Sequence, residues 1–174
     1  MLCLPLSLSG NYFNLYYLEK MVNLSKYLTN SPSETKKIGK ILAQKIIERK
    51  WGKTALAIAL QGGLGGGKTT FLQGFARGLG IKQKITSPTF VIIRKYKIQN
   101  TRHKIQNFYH LDCYRLGKPK EILDLRFKEV ISNPENIVAI EWADRIRKIV
   151  PDDAIWIKFR FINKNIRKIN IVLK

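Results

Sequence analysis

Residues 54–79 read TALAIALQGGLGGGKTTFLQGFARGL, and the fold follows from them. Thr54 to Leu60 is an apolar run of the length of a buried strand. Thr70 to Leu79 reads as a helix, closed by Gly80. Between them Gly62-Gly63-Leu64-Gly65-Gly66-Gly67-Lys68-Thr69 completes the G-x-x-x-x-G-K-[ST] pattern. Its glycines let the backbone curl round a phosphate with the N–H groups turned inward. The helix that follows adds its positive N-terminal end. In that setting Lys68 is expected to reach the β- and γ-phosphates, and the Thr69 hydroxyl to hold Mg²⁺. A merely flexible glycine turn gives no reason for Lys-Thr to sit at this offset between strand and helix.

Upstream, Ser31-Pro32-Ser33-Glu34 is a helix start, with Ser31 as cap, Pro32 at the first position and Glu34 completing a capping box. Ile38, Ile41, Leu42 and Ile46 follow at helical spacing, and Trp51-Gly52 ends the helix. Downstream, Ser87-Pro88-Thr89 belongs to a polar turn. Phe90 to Ile98 and Lys104 to Leu111 read as strands joined by a turn at Asn100 to Arg102. Residues 119–131 are expected to be helical, and Asn133-Pro134 breaks them. Ile137 to Ile140 is a short buried strand, followed by a short helix over 143–148. The chain ends in a hairpin whose Ile155, Ile157, Phe159 and Phe161, then Ile169, Ile171 and Leu173, point inward. The expected fold is a single α/β domain of the P-loop NTPase type, residues 21–174, with a mixed central sheet, flanking helices and a C-terminal β-hairpin. Residues 1–20 are expected to be an N-terminal extension outside the core. Their apolar start is too short for a membrane span and makes a poor signal peptide, and Met21 is an alternative start.

The 174 residues are enough for one core without disulfides or metals. The two cysteines, Cys3 and Cys113, form no pair motif, which fits a reducing cytoplasm. The net charge of +20 has two readings. One is contact with nucleic acid or another polyanion. The other is compositional drift in a lysine-, isoleucine- and asparagine-rich chain, favoured by the dispersal of the basic residues.

Hydrolysis at a phosphate loop needs an acid at a strand end. Ile137-Val138-Ala139-Ile140-Glu141 is the cleaner candidate. Phe108-Tyr109-His110-Leu111-Asp112 is interrupted by His110 and is the poorer match. Both acids end strands, where ligands bind in open α/β sheets. Trp142 is either a core residue or a wall of the nucleotide site. His110 reads as a hydrogen-bonded structural residue, and Arg115 as a phosphate contact or the partner of an acid. Thr89 sits in a loop with the position of a switch. Asn163-Lys164-Asn165-Ile166 lacks the acid of the guanine-reading motif, so ATP is favoured over GTP.

Taken in order, Gly62 to Phe71, Ser87-Pro88-Thr89-Phe90, His110-x-Asp112-x-Tyr114-Arg115-Leu116 and Glu141-Trp142-Ala143-Asp144-Arg145-Ile146 resemble the TsaE (YjeE) family over roughly residues 31–173. The resemblance implies a small, weakly active ATPase of tRNA threonylcarbamoyladenosine synthesis. It would work with TsaD and TsaB, which carry out the transfer to tRNA, and would regulate or reset that complex. On this resemblance Lys68 and Thr69 hold phosphates and Mg²⁺, with Thr70 completing the loop, and Glu141 is the metal and hydrolysis acid, supported by Asp112. Ser87 to Thr89 act as a switch loop, Trp142 lies beside the nucleotide, and the Thr35 region edges the adenine. The family usually has Asp where this chain has Gly63, and a small residue at Gly66. Five glycines in the six positions 62–67 imply a looser loop and lower affinity. Two other readings are a P-loop small-molecule kinase and a basic RNA-binding module, the latter on the strength of Arg94-Lys95-Tyr96-Lys97.

Overall fold

The computed structural model describes residues 24–48, 52–99, 105–117 and 120–172. The expected extension at 1–20, the helix end at Trp51, the turn at 100–102 and the inward-facing Leu173 lie outside the described residues. In chain order the elements are β1 (Leu24–Thr29), α1 (Pro32–Ile47), β2 (Leu56–Gln61), α2 (Lys68–Gly78), β3 (Ile93–Lys97), β4 (Asn107–Asp112), α3 (Lys120–Leu123), α4 (Phe127–Ser132) and β5 (Asn136–Glu141). A 3₁₀ helix (Ala143–Ile149), β6 (Ile155–Phe161) and β7 (Arg167–Val172) follow.

The seven strands form one mixed sheet in the order β1-β7-β6-β2-β5-β4-β3. Strands β6, β2, β5 and β4 run parallel, while β3 and β7 are antiparallel to their neighbours and β1 to β7. The middle of the sheet is β2 and β5, whose runs LAIAL and NIVAIE are buried on both faces, as parallel strands covered on both sides must be. On one face Ile58, Leu60 and Ile137 pack against Phe71, Leu72 and Phe75 of α2 and Ala43 and Ile46 of α1. On the other, Ala57, Ala59, Val138 and Ile140 meet Phe127 of α4 and Ile146 of the 3₁₀ helix. Helices α1 and α2 approach closely through Gly74, where an added Cβ would stand 1.9 Å from the Lys36 carbonyl oxygen. Among the described residues, no helix is long and apolar enough to cross a membrane.

The α1 start forms much as expected. The Ser31 hydroxyl accepts from the Glu34 N–H at 3.2 Å. The Glu34 carboxylate, however, takes the N–H of Asn30 rather than that of the cap, at 2.8 Å. Three other expectations are corrected. Phe161, expected to point inward, is 52% exposed at the end of β6. The strand expected from Phe90 begins only at Ile93. The Pro88 carbonyl accepts from both Val91 and Ile92, so a turn occupies the segment, and Ile92 takes φ +62°. The helix expected over 119–131 is two short pieces, because Arg126 adopts a left-handed conformation, φ +58°, between α3 and α4. Strand β1 was not anticipated. It is an edge strand held by pairing with β7, and its sequence, LSKYLT, has little periodicity of its own.

Candidate functional site

The loop between β2 and α2 is shaped by its glycines. Gly62 takes φ +148°, and a Cβ there would stand 2.5 Å from the Phe159 carbonyl oxygen. Gly67 takes φ +98° at the N-cap of α2, which no side chain caps, so the first turn of that helix keeps N–H groups for an anion. The loop also has an anchor from the far end of the chain: Arg167 Nε on β7 donates to the Gly65 carbonyl at 2.9 Å.

Lys68 is folded back over this loop. Its Nζ donates to the carbonyls of Gly62 and Gly63 at 2.7 and 2.9 Å and stands 4.0 Å from the centroid of the Trp142 ring. Burial pushes its pKa below the ordinary lysine value. The charges of Glu141, Asp112 and Asp144 pull it back up, by less than burial lowers it.

The two acids come together through sheet register. Strands β4 and β5 run parallel with Asp112 opposite Glu141, so both carboxylates leave the sheet at the same end. Both are buried. The Thr69 hydroxyl donates to Glu141 Oε1 and Oε2 at 2.9 and 3.1 Å. His110 Nε2 lies 2.9 Å from Glu141 Oε1. A carboxylate accepts, so Nε2 carries the hydrogen and the buried Nδ1 has no partner. The polar break that weakened the β4 pattern is thus the side chain that meets Glu141.

Asp112 does something different. Its Oδ2 accepts from the hydroxyls of Ser87 and Thr89, the latter at 2.8 Å. Its Oδ1 accepts from the Tyr114 N–H at 2.9 Å. Asp112 therefore clamps the 87–89 loop to the sheet end. Trp142 follows Glu141 in a left-handed conformation, φ +58°, and packs its ring 5.0 Å from that of Tyr114.

These groups line one open cavity of about 290 Å³. Of the expected site residues, Thr35, Leu64, Gly65, Gly66, Gly67, Lys68, Thr69, Thr70, Thr89, Asp112, Glu141 and Trp142 all line it. Gly62 and Gly63 do not. They form the base of the loop, and their carbonyls hold Lys68. Arg115 also lies off the cavity lining, with its guanidinium 4.3 Å over the Phe90 ring.

Part of the lining is not legible in the sequence. Ser31 and Pro32 at the start of α1, and Lys164, Asn165 and Arg167 of the β6–β7 hairpin, complete the lining. By sequence the first two are capping residues of α1. By sequence, Asn163 to Ile166 is only an incomplete guanine-reading motif, and it is the pairing of β7 beside β6 that brings the hairpin to the phosphate loop.

The family model described as "Threonylcarbamoyl adenosine biosynthesis protein TsaE" matches residues 29–169. The TsaE of Bacillus subtilis, named a tRNA threonylcarbamoyladenosine biosynthesis protein, is 34% identical over 144 residues, covering 83% of this chain and 82% of its own. The protein of the same name from Rickettsia felis is 33% identical over 146 residues, covering 83% and 78%. Among solved structures, Bacillus subtilis YdiB superposes with a TM-score of 0.62 at 32% identity, covering 88% of this chain and 87% of that one.

Proposed function

The chain belongs to the TsaE family of threonylcarbamoyl adenosine biosynthesis proteins, and from that premise we propose that it binds and slowly hydrolyses Mg·ATP in the cavity under the 62–69 loop. The observation that carries this reading is the convergence of Thr69, Glu141 and Asp112 on one cavity at the N-terminus of α2.

The residues present fit a magnesium ion. A threonine hydroxyl and nearby carboxylates are hard oxygen donors, and such sites use one or two protein oxygens together with the phosphates of the substrate. Thr69 and Glu141 would hold the ion, with Asp112 behind them. Once bound, it would neutralise charge building on the β- and γ-phosphate oxygens.

The chain's own residues do the rest. The N–H groups from Gly65 to Thr69 bind the phosphates. Lys68 exchanges its bonds to the Gly62 and Gly63 carbonyls for phosphate oxygens. Glu141, buried and oriented by His110, positions the attacking water. Ser87 and Thr89, tethered to Asp112, form the loop that senses the γ-phosphate. Trp142 and Tyr114, their rings packed together, line the cavity with Thr35, and Thr35 edges the base. The activity serves the threonylcarbamoyladenosine modification of tRNA beside the anticodon. There it regulates or resets a TsaD–TsaB complex in the cytoplasm, meeting tRNA through that complex.

Titration calorimetry of the whole chain with Mg·ATP tests the binding step, and phosphate release tests hydrolysis. Heat that is lost in Lys68→Ala is expected, and no heat with the parent chain overturns the reading. Co-purification with TsaB and TsaD, with and without ATP, tests the assembly.

A further inference from the structure

Strands β1, β6 and β7 pair into a three-stranded antiparallel unit at one side of the sheet. One of its faces is core, with Tyr27, Ile169, Phe159, Ile157 and Ile171 packed under α1 and α2. The other face is formed by the alternate residues, and register fixes its pattern. Lys26 and Lys158 flank Asn170 in one cross-strand row. Leu28, Lys168 and Arg160 form the next. Lys26, Lys158 and Arg160 are exposed, and Leu28 is 62% exposed.

The segments LSKYLT, IWIKFRF and RKINIV contain no acidic residue. Among the described residues, none of the four cations meets a carboxylate in an ion pair. Arg160 directly opposite Lys168 is a like-charge pair, which weakens a sheet. At the end of the face Arg147 stands 4.8 Å over the ring of Trp156. Asp152, in the turn before β6, shares a small cavity with these two and Lys158 and marks the edge of the basic surface.

We infer that this face binds the phosphodiester backbone of an RNA directly, in addition to the meeting through the TsaD–TsaB complex, at a site separate from the nucleotide cavity. Cations two residues apart on a strand stand about 6.7 Å apart, a spacing comparable with that of successive phosphates. A polyanion across both rows relieves the Arg160–Lys168 repulsion and releases counterions. Because the bulk charge is dispersed, most of the basic residues need no such explanation. This face does, because its cations lie in register without acids between them. The choice of RNA among polyanions rests on family membership and not on the ATP reading, so either can fail alone.

The test uses the full chain and a fluorescent, unmodified tRNA transcript, with anisotropy read across a salt series. The face variant is Lys158→Glu, Arg160→Glu and Lys168→Glu together. The control is Lys36→Glu, Lys37→Glu and Lys40→Glu, three exposed positions on α1 with the same change in charge. The face variant is expected to bind at least about tenfold more weakly, with the salt slope shallower by roughly two to three, while the control stays within about twofold of the parent. Thermal melts verify folding. Should the charge reversals unfold the chain, the glutamine versions at the same three positions replace them, with a smaller loss in the same direction expected. Equal loss in both variants reduces the binding to net charge and overturns the inference, as does tRNA binding that is absent or insensitive to salt. Loss of binding to phosphatidylserine vesicles with tRNA binding unchanged assigns the face to a membrane surface and also overturns it.

Discussion

The Thr69 hydroxyl donates to both carboxylate oxygens of Glu141, across 72 residues of sequence. The same carboxylate receives His110 Nε2, so its orientation is fixed from two sides. Glu141→Gln keeps the shape and the hydrogen bond with Thr69 but removes the charge. We expect nucleotide binding to persist and phosphate release to fall by about 10²-fold or more, the range for loss of a positioned acid–base group. Release at the parental rate would remove Glu141 from the hydrolytic role.

Lys68 gives a prediction in pH. Its pKa in the folded chain lies below the ordinary value of 10.5 because burial disfavours the charged form. Between that lowered pKa and 10.5 the unfolded chain holds more protons than the folded one. The stability of the nucleotide-free protein therefore rises with pH through this window, and below it the whole penalty is present. Nucleotide affinity moves the other way, falling as Lys68 loses its charge at a lower pH than an exposed lysine would. Lys68→Met should flatten the stability curve in this window relative to the parent, as read from melting temperatures at stepped pH. A variant curve parallel to the parent's would discount Lys68 as the group responsible.

The neighbouring glycines Gly62 and Gly63 should behave oppositely on substitution. Gly62→Ala places a Cβ 2.5 Å from the Phe159 carbonyl oxygen at φ +148°, so we expect a loss of about 2 kcal/mol or more from strain and backbone displacement. Gly63 has open space around its Cβ position and no positive φ. Gly63→Ala is expected to stabilise the chain by about 0.4–1 kcal/mol by narrowing the unfolded ensemble. Denaturant melts of the two variants check both signs.

Cys113 is fully buried, and burial pushes its thiol pKa up to about 12. The thiolate is the reactive form. In a Cys3→Ser background, a disulfide reagent at pH 8 should label the native chain only at the rate of its opening, and the denatured chain at once. Immediate labelling of native protein would contradict the burial.

The β2–loop–α2 unit was legible because each of its signals is local: an apolar run, a spaced glycine motif and a helix start. The Ile137 to Ile140 strand was legible for the same reason. Where two short-range rules competed, the turn won: Pro88 delayed β3 to Ile93, and Arg126 split the expected helix despite its apolar face. Strand β1 was hidden because its structure comes from β7 and not from its own sequence. The acids were found individually from strand ends, but their juxtaposition depends on β4 lying beside β5. The wall made by Lys164, Asn165 and Arg167 is wholly a product of topology.

Strand β2, which carries the phosphate loop, pairs on one side with β5 and on the other with β6, and β1 pairs with β7. Every partner is therefore translated later than the strand it completes. A nascent chain that has just left the ribosome with its glycine motif made has no sheet to hold that motif, and its earliest strands wait with open edges until β5, β6 and β7 emerge. Such long-range closure slows folding and exposes the newborn chain to aggregation. Fragments cut short before the final hairpin would reach quality control as insoluble debris rather than as partly working proteins.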